Sequence, residues 1–309
     1  VAGLSVVFVL CWSSGFIGAK LGSADASVLT ILMWRFLPLA LVLSPLLLRV
    51  PAGPGSSRTA GVLRQVAVGA LSQTGYVLTV YWAIGLGVST GTTALVDGIQ
   101  PLVVAALAGP LLGAVVTGRQ WLGLGLGLVG VLVVTLADAF APGSRAPGWS
   151  YLLPFVGMLC LVAATFLERR ARVVMPPLRV LAIHCLTSGV IFTGLAVAAG
   201  QVVPPLTPGF WIALAWLIVL PTFGGYGLYW LLLRRLGVTA VNTLMFLVPP
   251  VTALWGAALF AEPLTPLTIS GFVVALAATA LVTVPSSDRR RAPATCSGVT
   301  GSTVACHRS

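Results

Sequence analysis

Two charged residues in this 309-residue sequence, Arg35 and Asp97, sit deep inside long apolar runs where charge is costly. An ionisable side chain within a bilayer costs roughly 2.5–3.5 kcal/mol on insertion scales, so it marks a substrate site, a proton relay or an ion pair. Arg35 lies about seven residues, or ~10 Å, along its run, and Asp97 about nine residues, or ~13 Å, along another that starts at the same face. Similar depth and opposite charge allow an Arg35–Asp97 pair that binds a substrate or a proton in a central cavity. The same spacing fits a structural ion pair between two helices, or an Arg35 that snorkels towards headgroups. His184 is the counterpart of Arg35 at an offset of 149 residues. A histidine changes charge near physiological pH, which makes His184 and Asp97 the proton-coupling candidates. A neutral His184, hydrogen-bonded within a helix bundle, is the simpler alternative.

Neutral polar groups lie at similar depth. Tyr76 and Tyr226 correspond at an offset of 150, and Gln73, Gln100 and Asn242 accompany them. Such groups suit the lining of a substrate cavity, with Trp12 as an aromatic wall. They equally suit hydrogen bonds between helices, worth about 0.6 kcal/mol each on average. Pro101, and Pro249 with Pro250, interrupt two apolar runs at matching places. Proline frees a carbonyl and kinks its helix, so these are candidate helix-break or gating positions, or plain packing kinks. The sequence contains no HExxH, Walker A, GxSxG or paired-cysteine metal motif, and implies neither a metal nor a cofactor. Residues 125–130 spell the dinucleotide fingerprint GxGxxG, but inside an apolar helix with no preceding strand. Gly123, Gly127 and Gly130 are expected instead to let another helix approach closely. Cys11, Cys160 and Cys185 read as small hydrophobes. Glu168 is expected to pair with Arg169 and Arg170, and Glu262 to face the outer surface.

The elements that must position these residues are membrane helices. The chain is 58% hydrophobic and only 7% charged, with a mean hydropathy of +1.05. A soluble domain carries about a quarter charged residues, so lipid must be the main solvent. Long continuous apolar runs exclude the alternation of a β-barrel. The formal charge of +11 is spread over short loops rather than gathered on one face, which argues against nucleic acid. Dividing the runs at Pro, Gly and Arg interruptions gives ten helices, at 3–20, 28–48, 62–84, 88–112, 119–137, 149–167, 177–199, 209–232, 237–260 and 265–284. The first run has no basic leader and continues into Lys20, as expected of a membrane helix rather than a cleaved leader. Arg49, Arg58, Arg64, Arg119, Arg169, Arg170, Arg172, Arg179, Arg234 and Arg235 fall on one side, with a basic tail that includes Arg289 to Arg291. Lys20 and Arg145 fall on the other. Positive-inside bias then puts both termini in the cytoplasm.

The chain repeats itself. Tyr81-Trp82, Leu86-Gly87-Val88-Ser89, Gln100-Pro101, Thr117 and Gly123 return as Tyr229-Trp230, Leu236-Gly237-Val238-Thr239, Pro249-Pro250, Thr265 and Gly271, shifted by 148 to 150 residues. Five helices per half is an odd number, so the second half must be inverted relative to the first. Inverted repeats let two gates, one per face, exchange roles around a site near the midplane.

The run from Trp12 to Lys20, Arg35-Phe36, and Phe260-Ala261-Glu262-Pro263-Leu264-Thr265 with Gly271, taken in order, resemble the EamA-type transporters of the drug/metabolite transporter (DMT) superfamily. The resemblance spans about residues 3 to 284. It implies an all-α membrane protein of ten transmembrane helices in two EamA repeats that exports small metabolites in a gradient-driven manner. Two departures stand out. Ala114 occupies the place where the first repeat would often carry a glutamate like Glu262, and Ala163-Ala164 replaces a tryptophan like Trp12.

The expected organisation is a first repeat at 1–137, an external linker at 138–148, a second repeat at 149–284 and a basic, disordered tail at 285–309. The expected function is secondary active export of a small polar or amphipathic, amino acid-like metabolite across the inner (plasma) membrane. Substrate-binding candidates are Asp97, Arg35, Tyr76, Tyr226, Gln100, Asn242 and Trp12. The partners are a small-molecule substrate and the bilayer, with no nucleic acid; a homodimer is allowed. The rival readings are an intramembrane enzyme acting on lipid or peptide through Asp97 and His184, and a membrane scaffold that transports nothing.

Overall fold

Local chemistry in the loops sets where the helices start. Ser27, Ser89, Thr117 and Thr265 each accept a hydrogen bond from the backbone N–H three residues on, at 3.1–3.3 Å. Pro177, Pro208 and Pro266 occupy first-turn positions, where a missing N–H removes no helical bond.

The structure, a computed structural model, describes residues 2–49, 58–113, 116–169 and 175–283. Among these the helical segments, grouped where they run on from one another, are α1 (Ala2–Ser23), α2 (Val28–Leu43), α3 (58–85), α4 (90–112), α5 (Gly118–Ala139), α6 (Gly148–Arg169), α7 (Pro177–Ala198), α8 (Pro208–Gly237), α9 (Ala240–Phe260) and α10 (Pro266–Thr283). Seven of the helices are long and apolar enough to cross a membrane, and α2 and α10 are shorter apolar helices. α2 is shorter than the apolar run that holds it. It ends at Leu43, and a separate turn, Leu46–Arg49, follows. α3 extends further back than its apolar pattern, through the polar stretch Arg58–Gln65. The expected tail, Ala114, Arg170 and Arg172 lie outside the described residues.

Lipid offers no hydrophobic drive between helices, so close packing through small residues must supply the contact. In α5 and α10, Gly123 lies against Val282, Gly127 against Ala278, and Gly130 against Ala275 and Gly271. In α4 and α9, Gly91 meets Ala253 and Gly98 meets Pro249. In α2 and α7, Thr30 Oγ1 donates to the Gln201 carbonyl at 2.8 Å, Phe36 stacks on Phe192, and Ala40 meets Gly189. Numbers rise along one helix as they fall along the other in all three pairs. In these three pairs each helix is therefore antiparallel to its repeat counterpart, as an inverted second half requires.

The remaining pairs exchange partners under the same symmetry: α1 packs on α8 as α6 packs on α3. A Cβ on Gly224 would lie 2.9 Å from Cys11 Sγ, and one on Gly75 would lie 3.1 Å from Cys160 Sγ. Both members of this contact shift by 149 residues between repeats. These thiols are packing atoms, each seated on a glycine.

Candidate functional site

Two irregularities shape the centre of the bundle, and each occurs twice. α4 breaks at Ile99, with Pro101 in the first turn of its continuation; the counterpart break falls at Phe246–Leu247, with Pro249 and Pro250 next. The prolines therefore restart helices rather than kink intact ones. The breaks meet, since a Cβ on Gly98 would come within 2.9 Å of Pro249 Cγ. α3 and α8 each contain a π-helical stretch, Ala70–Gly75 and Ile218–Gly225, that ends immediately before Tyr76 and Tyr226. Such wide turns re-aim the residues that follow, and they recur at functional sites.

Between these features lies a cavity of about 440 Å³, lined by Trp12 of α1, Gln73 and Tyr76 of α3, Asp97, Gln100 and Pro101 of α4, His184 of α7, Tyr226 of α8 and Asn242 of the counterpart of α4. That volume falls in the range of about 300–1,000 Å³ usual for small-molecule sites. Tyr76 donates its hydroxyl to Asp97 Oδ2 at 2.9 Å. Gln100 donates to Thr165 Oγ1 at 3.1 Å, and Trp12 packs edge-on against Tyr226 at 5.5 Å. Asn242 is exposed, and the lining runs out to Pro177, the first residue of α7. The cavity thus opens at the end of the bundle that carries Arg64, Arg179, Arg234 and Arg235.

The expected Arg35–Asp97 pair does not form. Two tyrosines on α3, five residues apart, come between them. Tyr76 takes Asp97, while Arg35 donates to the Tyr81 hydroxyl and, at 3.3 Å, to Thr222 Oγ1. Arg35 also faces the Phe36 and Tyr81 rings, and it lines a second, smaller chamber of about 80 Å³. Pro249 and Pro250 lie outside the main cavity lining.

His184 Nε2 lies 3.0 Å from Gln65 Oε1, and Gln65 Nε2 donates to both oxygens of Glu168 at 3.1 and 2.9 Å. Because the amide hydrogens of Gln65 are directed to Glu168, its oxygen faces the imidazole, which makes Nε2 the proton-bearing nitrogen. Glu168 therefore binds inward to Gln65, with Arg64 at 3.8 Å; among the described residues it forms no ion pair with Arg169, and Arg170 lies outside them. Glu262, too, turns inward instead of facing the outer surface. Its side chain is only 8% exposed, it ion-pairs with Lys20, and it accepts from Thr90 N at 3.0 and 3.1 Å and from Thr90 Oγ1 at 2.8 Å. Next to it, Asp138 Oδ2 accepts from Ser89 N at 3.0 Å. Two carboxylates thus meet the positive N-terminus of α4, at the end opposite the cavity mouth.

Sequence reasoning missed Gln65, Tyr81 and Thr222 as partners of buried ionisable groups. Tyr81 stands out in the sequence only as a repeat marker, and Gln65 sits in a polar stretch with no motif around it.

No curated protein sequence matches the chain. Among solved structures, one described as "Crystal structure of protein" is 19% identical, with a TM-score of 0.59 over 91% of this chain and 95% of that one. At that identity it shows a shared fold alone. The EamA-like transporter family matches twice, over residues 2–136 and 148–284. The chain is a multi-pass membrane protein and belongs to the EamA-like transporter family.

Proposed function

We propose that this protein is a secondary active carrier that exports a small polar or amphipathic, amino acid-like metabolite by alternating access. The observation that carries the reading is the central cavity, enclosed by both repeats at the level of the paired helix breaks. In this account all ten rods span the membrane, and the arginine-rich end, with both termini, faces the cytoplasm of a plasma-membrane protein. The cavity is then open inward and closed outward. Asp97, Tyr76, Tyr226, Gln100, Asn242 and Trp12 contact the cargo. In this reading Asp97 and His184 exchange the coupling proton, and rocking about the crossed breaks near Pro101 and Pro249 exchanges the open face.

The test is efflux from proteoliposomes loaded with a mixed pool of metabolites, under an imposed pH gradient, for wild type and Asp97→Asn with folding checked in both. Loss of a compound from wild type alone supports the carrier and the role of Asp97. Equal loss from both removes Asp97 from the mechanism, and no loss of any compound contradicts the carrier reading.

A further inference from the structure

Among the described residues, the guanidinium of Arg35 is buried with neutral partners only. The residue is 7% exposed, its two hydrogen bonds go to Tyr81 and Thr222, and its buried Nε finds no acceptor among the described residues. No described carboxylate pairs with it. Asp97 is held by Tyr76, Asp138 by Ser89, Glu168 by Gln65, and Glu262 by Lys20 and Thr90. A buried cation without a counter-charge is costly, and guanidinium offers five donors in a planar fork. The missing charge is the kind a ligand supplies.

We propose that the Arg35 chamber is an anion subsite that receives the carboxylate of the transported molecule, an inference that rests on the carrier reading above. Trp12, Tyr76 and Tyr226 line both the small chamber and the main cavity, so a molecule in the cavity reaches Arg35 past these three rings. The chamber, at about 80 Å³, admits a head group, while the body of the molecule stays in the cavity of about 440 Å³. A planar carboxylate matches the guanidinium fork. A dianionic phosphate ester fits less well, because Asp97 lines the cavity through which it must pass. Inorganic chloride shares the charge of a carboxylate, and the test separates the two.

The purified full chain in nanodiscs is titrated with 4-fluorobenzoate and, in parallel, with its neutral analogue 4-fluorobenzamide, followed by fluorine NMR in a chloride-free sulfate buffer. The benzoate is expected to bind at least about tenfold more tightly, the scale of one charge-assisted contact. Arg35→Gln is expected to abolish that preference while leaving benzamide binding in place, and Arg35→Lys to retain part of it. Equal binding of the two probes to wild type overturns the proposal without recourse to any variant, as does a preference that survives Arg35→Gln. Displacement of benzoate by chloride at equal concentration assigns the chamber to an inorganic anion and overturns the cargo role. Binding is read without transport, so efflux with no benzoate preference sinks this proposal alone, and the reverse result sinks the carrier reading and the cargo role while leaving an anion site at Arg35.

Discussion

At one end of the bundle Glu262 reaches from the second repeat to Lys20 and to the Thr90 amide in the first. By their offsets in the sequence, the repeat counterparts of Glu262, Lys20 and Thr90 are Ala114, Arg169 and Thr239. The cation and the hydroxyl return, and the carboxylate does not. The helix ends that precede the two positions are built alike, since Gly113 and Ala261 both adopt left-handed backbone, at φ 69° and 54°. For a glycine that conformation is free, but for alanine it costs about 1–2 kcal/mol. The Glu262 turn is thus held in place against strain by the bonds that its carboxylate makes. Among the described residues the fold, used twice, shows this latch at one end, and the cavity opens at the other. Inverted repeats provide two possible gates, and the sequence places the latch carboxylate in one repeat and an alanine at the matching position of the other.

The largest expected effect comes from removing the latch. Glu262→Gln leaves Lys20 without its partner and weakens the acceptor for Thr90, and is expected to cost about 3 kcal/mol. That figure is the lower end for a broken buried pair, because the Lys20 side chain is 26% exposed. Thermal unfolding in detergent measures it; a loss below ~1 kcal/mol means that the latch is ornamental. Gly130→Ala is the control that treats both ends alike. Its Cβ would come within 2.7 Å of backbone atoms of Gly271 and Ala275, forcing α5 and α10 apart at about 2 kcal/mol. Its unfolding temperature should fall while the open end stays the same.

Ala114→Glu restores the absent carboxylate. By the repeat correspondence in the sequence, Arg169 and Thr239 take the parts of Lys20 and Thr90, and the variant is expected to favour closure of the arginine-rich end by about 1.5 kcal/mol, roughly tenfold in population. Reduced thiol labelling of a cavity cysteine from that face is the readout, and unchanged labelling argues that the missing carboxylate is not what leaves this end open. Ala261→Gly is the smallest change. Relief of the left-handed strain, offset by the extra freedom of glycine in the unfolded chain, should stabilise the protein by about 0.5 kcal/mol.

Much of this was legible in the sequence because repetition is a long-range signal. Tyr76 and Tyr226, the proline pairs and the glycines of α5 marked the cavity wall, the helix breaks and the tightest helix contact. Cys11 and Cys160, at the same offset, carried a further contact that no chemical motif announces. Partner choice was not legible. Arg35 and Asp97 have matched depths, yet depth along a helix says nothing of rotation about it, and Tyr76 and Tyr81 intercept the two charges separately. Glu262 lies in a loop outside the apolar runs, where a carboxylate ordinarily faces water. Only the left-handed turn at Ala261 directs it back into the bundle.

The most direct test of an inward-open carrier with a single outer latch is access to the centre of the cavity from each face. Gln100→Cys, in a chain whose five native cysteines are replaced by alanine, is exposed to a membrane-impermeant maleimide in vesicles of each orientation. With the latch intact, labelling is expected from the arginine-rich face alone, and Glu262→Gln should add labelling from the Lys20 face. Labelling from the Lys20 face with Glu262 in place, or none from the arginine-rich face, would contradict the account.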